Sequence, residues 1–292
     1  MDRSVKIKLI FWITLVLNLA VAGAKLIFAS MTQSLSLFSD GLHSLMDGGS
    51  NVVALIAIKI AEQPPDEDHP YGHRKFETLG AMAISGLLCL ASWEILKSAW
   101  GRFIHPVELP HVRWIVVGGL VFMIILNLGI TSYERRWGRR LQSELLLADA
   151  AHTLSDALAS GLALLALLSA LLRLYWVDTL AALIIVVLIL RAAYQIVKDS
   201  VLTLSDAQRL NPEPIQKLIE GVKGVKNCHM VRSHGPARDV RVDLHIVVSP
   251  EMSAQRAFEI ENEVMRRVKQ AYPEVTEVTI RHQTKMPGSP NE

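Results

Sequence analysis

Five runs without a single charged residue, Leu9–Ala24, Thr78–Trp93, Trp114–Tyr133, Ala157–Leu172 and Thr179–Leu190, constrain this chain more than any other feature. With their flanks, each approaches the ~20 apolar residues that a helix needs to cross a bilayer. Lipid offers the backbone no hydrogen bonds, so such runs must become helices that satisfy their own peptide groups. A purely soluble globule is excluded. Six spans are predicted, at about 8–30, 35–61, 78–100, 112–133, 144–172 and 178–198. The second is the least apolar, because Asp40, His43 and Asp47 interrupt it.

The N-terminus imitates a secretory leader, with Arg3, Lys6 and Lys8 ahead of an apolar stretch that contains Ala20-Val21-Ala22. The apolar stretch runs on through Ala29 and further spans follow, so the segment reads as a retained first helix. Basic residues flanking the spans set the orientation. With the N-terminus inside, the inner segments hold Arg3, Lys6, Lys8, Arg74, Lys75, Arg135, Arg136, Arg139 and Arg140, against Lys97, Arg102, Arg113 and Arg173 outside. The positive-inside rule then places both termini in the cytoplasm.

Composition changes after the sixth span: 25 of the 58 charged residues fall in the last 87 positions. Residues 1–205 are therefore read as a six-span transmembrane domain and 206–292 as a soluble cytoplasmic domain. In the latter, Pro214–Val222 has an amphipathic helical pattern and Val225–Ser233 the pattern of a strand. Val240, Val242, Leu244, Ile246 and Val248 alternate with polar residues along a second strand, Asp239–Val248. Ser253 caps a helix to about Tyr272 with Ala257, Ile260, Val264 and Val268 as its buried stripe, and Val275–His282 is the last strand. The order αββαβ describes a small α+β domain. A net charge of +2 gives no reason to expect a nucleic-acid partner, and Cys89 and Cys228, the two cysteines, make no disulfide framework.

The chemistry lies in a pattern that occurs twice. Asp40, His43 and Asp47 form DxxHxxxD in the second span, and Asp149, His152 and Asp156 repeat it in the fifth. Random placement at this composition would give on the order of 0.02 occurrences. At 100° per residue each triplet lies on one helical face, with His and the following Asp as neighbours four apart. Ionisable groups at membrane depth are costly unless they pair or line a wet path. Brought together, His43, Asp47, His152 and Asp156 make an N2O2 set suited to a tetrahedral divalent ion, zinc above all. Spans two and five run in opposite directions, an arrangement found in inverted repeats around a midplane site. Asp40 and Asp149, each one turn beyond its His, are expected to be access-path carboxylates.

The segments SDGLHSLMDG, ADAAHTLSDA and DEDHPYGHRKFE together resemble the cation diffusion facilitators, metal/proton antiporters, over nearly the whole chain to about Gln283. The resemblance implies a homodimeric exporter with His43, Asp47, His152 and Asp156 as its transport site. His at the first ligand position is similar to the zinc-preferring branch, with Fe²⁺, Co²⁺, Ni²⁺ and Cd²⁺ as alternatives. The short connection between spans four and five, without a His-rich loop, is similar to bacterial members, and hence to an inner-membrane location. His69 and His73, four apart with carboxylates nearby in the loop after span two, could hold a metal. The resemblance makes Asp66, His69 and His73 a second, interfacial zinc site, and it pairs Lys75 with Asp206 as a charge interlock of the dimer. The cytoplasmic domain would be metallochaperone-like. His229, beside Cys228 near a strand end, and His245 match its metal pair, whereas Phe258 and Gln283 stand where a His and an Asp are usual. His234 and His282 are further candidates. Dimerisation and metal sensing are equally weighted roles for this domain.

Export of a divalent ion against a negative interior costs about 4.6 kcal/mol per 100 mV, so a driving ion is needed. Metal binding requires neutral imidazole and ionised carboxylate and expels protons, which makes H⁺ the expected counter-ion; no organic cofactor is expected. Two rivals stand beside this reading. A haem-binding electron-transfer protein also uses intramembrane His pairs, and a visible absorbance spectrum separates it; the Asp after each His suits a divalent cation better. A non-transporting regulatory subunit is disfavoured because both ligand pairs are complete.

Overall fold

A computed structural model of the chain describes residues 3–32, 35–104, 114–171 and 175–284. Within the helices some side chains, among them those of Asp40, His43 and Asp47, lie outside the described residues. The chain divides into two compact units, Met1–Ser200 and Val201–Glu292.

The first unit is helical. Its helices are α1 (Arg3–Thr32), α2 (Leu35–Ala61), α3 (Lys75–Ile104), α4 (Trp114–Leu141), α5 (Glu144–Leu171) and α6 (Tyr175–Leu204), the last running into the second unit. Each has 27 to 30 residues, a length of about 40–45 Å, which exceeds a bilayer core. Among the described residues, Arg3–Ala24, Lys75–Gly101, Val117–Leu141 and Thr179–Leu204 are long and apolar enough to cross a membrane. Among the described residues of α2, Gly48–Ala61 is a shorter apolar stretch. Outward faces are apolar as well: Trp12, Leu90, Trp93, Phe122 and Val187 are exposed, as suits surfaces that meet lipid.

Two apolar clusters hold the bundle. Ile7, Ile10 and Phe11 of α1 pack on Ala54, Ala57 and Ile58 of α2, Ala81 and Ile84 of α3, and Leu145 and Leu146 of α5. Leu88 and Ile95 of α3 meet Leu162 of α5 and Val186 and Ile189 of α6. Small residues let backbones approach, and Gly80 is the tightest case, at the contact of α3 with Ala57 and Leu145.

At the end where α1 begins, one arginine joins three elements. Arg3 makes a fork of hydrogen bonds to Glu77 Oε2 (2.9 Å) and Oε1 (3.0 Å), and donates to the carbonyls of Leu141 (2.8 Å) and Gln142 (3.1 Å). Ser143 Oγ donates to Glu77 Oε1 at 2.5 Å and accepts from Leu146 N, capping α5. Charge at the N-terminus thus ties α1 and α3 to the α4–α5 turn, besides any part it has in topology.

The second unit has the expected order, α7 (Pro212–Glu220), β1 (Asn227–His234), β2 (Val240–Val247), α8 (Ala254–Ala271) and β3 (Val275–Gln283). β1 and β2 are antiparallel, β2 and β3 parallel, and α8 makes the crossover that a parallel pair requires. Val240, Val242, Leu244 and Ile246 are buried as their alternation predicts, against Ile260, Val264 and Val268 of α8. Ala257 is only half-buried. Ser253 Oγ caps α8 by accepting from Arg256 N at 3.3 Å. The first helix begins two residues earlier than the apolar pattern indicates, because Asn211 Oδ1 accepts from Glu213 N and Pro212 occupies the first turn. β1 starts at Asn227 and bulges between His229 and Arg232, with Met230 at φ 52°, so His229 is its third residue rather than its end.

Candidate metal centres

The fifth helix carries His152 and Asp156 one turn apart, a separation that puts imidazole and carboxylate on one face. His152 is 6% exposed, and neither ring nitrogen has a hydrogen-bond partner among the described residues. A buried imidazole without partners is unfavourable unless another group uses its lone pair. α2 carries His43 and Asp47, whose side chains lie outside the described residues, as does that of Asp40.

Asp149 sits differently from an open access-path group. It is 1% exposed; its Oδ1 accepts from Ser50 Oγ at 2.9 Å and its Oδ2 from Asn51 Nδ2 at 2.8 Å. Asn51 also donates to Thr14 Oγ1 at 3.1 Å and accepts from Asn18 Nδ2 at 2.9 Å. Thr153 Oγ1 lies 3.2 Å from Glu134 Oε2, in hydrogen-bonding position, and the Glu134 carboxyl is in hydrogen-bonding contact with that of Asp149. Four helices meet in this cluster. Glu134, fully buried, is absent from the sequence reading, where it borders the Arg135–Arg140 run; Ser50 and Asn51, one turn beyond Asp47, are also absent from it.

The loop between α2 and α3 does assemble its three residues. Asp66, His69 and His73 each offer a ligand atom within 4.8 Å of the others. Asp66 Oδ1 accepts from His69 N at 2.6 Å, and Asp66 N and Gly72 N both donate to His69 O. Gly72, at φ 82° against the Pro65 ring, supplies the left-handed turn that folds His73 back. The two imidazole centroids are 4.2 Å apart, and Phe76 closes one side of them. His73 is 4% exposed with its Nε2 3.4 Å from Asp66 Oδ2. The amide of His69, aided by the His73 and His69 charges, holds the Asp66 carboxyl below its usual range. Asp66 therefore stays ionised in mild acid, and its contribution is lost only as pH falls through that depressed value. Asp66→Asn is expected to lower bound zinc by about one ion per chain at neutral pH, measured by equilibrium dialysis; unchanged stoichiometry would remove this site.

In the second unit His229 and His245 are partners in the β1–β2 register, with rings 5.5 Å apart. Gln283 of β3 is placed between them: its Oε1 accepts from His229 Nε2 at 2.9 Å and its Nε2 donates to His245 Nδ1 at 3.1 Å. A neutral amide thus fills the bridging position that a carboxylate would use for a metal. Burial, with Arg281, His229 and Arg232 adding to it, holds His245 below the usual imidazole range. The other two histidines sit elsewhere, His234 Nδ1 3.1 Å from Asp206 Oδ1 and His282 Nε2 3.4 Å from Glu261 Oε1. Asp206 thus has a contact within its own unit. Gln283→Asp restores an anionic oxygen between the imidazoles. It should tighten zinc binding to the full-length chain at least tenfold by calorimetry, and an unchanged affinity would show that the amide is not what limits the pair.

A bundle of long apolar helices with imidazole–carboxylate motifs, joined to a small αββαβ domain, defines a polytopic cation transporter and not an enzyme. Residues 11–205 match the cation efflux transmembrane domain and residues 207–283 the cation efflux protein cytoplasmic domain. The chain belongs to the cation efflux family, the cation diffusion facilitators, and is a multi-pass membrane protein. It is 34% identical over 260 residues to uncharacterized transporter MJ0449 of Methanocaldococcus jannaschii, covering 88% of this chain and 91% of that one. It is 31% identical to manganese efflux system protein MneS of Bacillus subtilis (87% and 88% covered). With the cadmium, cobalt and zinc/H(+)-K(+) antiporter of the same organism it shares 28% identity (87% and 82% covered).

Proposed function

We propose that the chain exports a divalent metal ion, zinc first, from the cytoplasm in exchange for protons, as a homodimer in the inner membrane with both termini inside. The observation that carries this reading is the buried His152, both ring nitrogens without a partner among the described residues, one turn from Asp156 on a helix whose motif is repeated in α2. His43, Asp47, His152 and Asp156 bind the cargo. Two imidazoles and two carboxylates favour Zn²⁺, then Cd²⁺, Co²⁺, Ni²⁺ or Fe²⁺, over the harder Mn²⁺. Proton coupling follows from the ligands, which must be deprotonated to take up metal. Asp66, His69 and His73 hold a second zinc ion at the subunit interface, and Lys75 and Asp206 interlock there.

Manganese is the second reading, favoured by the name and 31% identity of MneS. Flux in proteoliposomes separates the two. Zinc efflux that exceeds manganese efflux and rises with an opposing proton gradient supports the proposal. Preferred manganese flux overturns the cargo, and a flat pH dependence overturns the coupling.

A further inference from the structure

We propose that Glu134 and Asp149 form a proton-binding site separate from the metal ligands, one proton being held between their carboxyl groups. The proposal deepens the antiport reading, on which its role in transport rests.

Both side chains are sealed, at 0% and 1% exposure, and their carboxyls are in contact. Two ionised carboxylates in contact within a low-dielectric interior repel too strongly to coexist without a cation or a proton. Among the described residues, the groups that hydrogen-bond to them or to those partners are Thr14 and Asn18 of α1, Ser50 and Asn51 of α2, and Thr153 of α5, all neutral. The titratable group whose charge bears on Asp149 is His152. His152 is three residues away and makes no hydrogen bond to it. Arg3, a cation of α1, is engaged by Glu77 and by carbonyls of the α4–α5 turn. No lysine or arginine forms an ion pair with Glu134 or Asp149 among the described residues. Ser50 and Asn51 already donate to both oxygens of Asp149, and Glu134 Oε1 is buried without a donor among the described residues. One proton, shared between the two acids, satisfies this set.

The position explains how such a proton would exchange. The ties to Asp149 run from α2 to α5, the two helices that carry the halves of the proposed cargo site. Any separation of α2 from α5 that admits an ion would also break the Ser50 and Asn51 hydrogen bonds and wet the pair. Loading of metal and exchange of this proton are then one movement.

The test is the infrared carbonyl band of a protonated, non-aqueous carboxylic acid in the detergent-solubilised full chain at neutral pH, read in H₂O and in D₂O. The wild type should show it, with a deuterium shift. Glu134→Gln, nearly isosteric, should abolish it, and Glu134→Asp should retain it; a matching elution volume and helical circular dichroism exclude misfolding. Asp156→Ala, outside the pair, should leave it in place. Absence of the band in the wild type, or its survival in Glu134→Gln, overturns the proposal. A wild-type zinc flux indifferent to the proton gradient would instead overturn the antiport reading and leave the band unaffected. If both stand, Glu134→Gln should shift the pH profile of zinc flux while zinc stoichiometry stays at the wild-type value.

Discussion

Asp156→Ala is expected to stop zinc efflux. Loss of even an outer partner of a metal ligand costs about 10–100-fold, and removing the ligand itself should cost more than the upper end of that range. The physical cause is charge as much as geometry. Two imidazoles and two carboxylates neutralise a divalent ion, whereas one carboxylate leaves a positive charge at membrane depth. Asp47→Ala should have the same effect from α2. Asp156 is only partly buried, so Asp156→Ala should insert normally. The measurement is zinc flux in proteoliposomes under a fixed pH gradient. Retained flux in both variants would sink the assignment of the transport site.

Gly80→Val should be the most damaging substitution among positions with no part in metal binding. A Cβ at Gly80 would lie 2.5 Å from Ala57 Cβ and 2.9 Å from Leu145 Cδ1. Ala57 is fixed by its helix and has no rotamer to yield, so α3 would have to withdraw from α2 and α5. Overpacking of this kind costs about 1–3 kcal/mol. The loss falls on the cluster that also holds Ile7, Phe11 and Ile58. Gly86→Val, six residues along the same helix and with nothing within 4 Å of its Cβ position, is the control. Thermal denaturation in detergent should show a lower midpoint for Gly80→Val and little change for Gly86→Val; equal midpoints would mean that the helix contact is not tight.

The limits of the sequence reading follow from what local pattern encodes. The twin DxxHxxxD motif is visible because its spacing is that of a helix face. The strand of Val240 to Ile246 is visible because alternation has a period of two. The caps of α7 and α8 show the same limit: Ser253 precedes a strong amphipathic helix and is legible, whereas Asn211 precedes a short one and is not. Glu134 has no such pattern; it stands beside four arginines and reads as part of a solvated helix end. Its burial becomes visible only once α4 is packed on α5. Gln283 is similar, being a residue at a strand end until the parallel β2–β3 pairing brings it between His229 and His245.

What the sequence alone determined is therefore the set of elements and their chemical classes: six long helices, an αββαβ domain, paired imidazole–carboxylate faces, and a loop whose His and Asp spacing suits a metal. These depend on periodicity and on residues close along the chain. The tertiary structure decided which polar groups share an enclosure. It placed Asp149 under Ser50 and Asn51 and against Glu134, Arg3 on Glu77, and Gln283 between two histidines. Apart from Glu134 and Asp149, which lie on neighbouring helices, those contacts join residues from 38 to 99 positions apart, as in the Gln283–His245 and Ser50–Asp149 hydrogen bonds. Packing chooses such partners by shape and by the cost of burying polar atoms without hydrogen bonds, and neither is written in the spacing of a single segment.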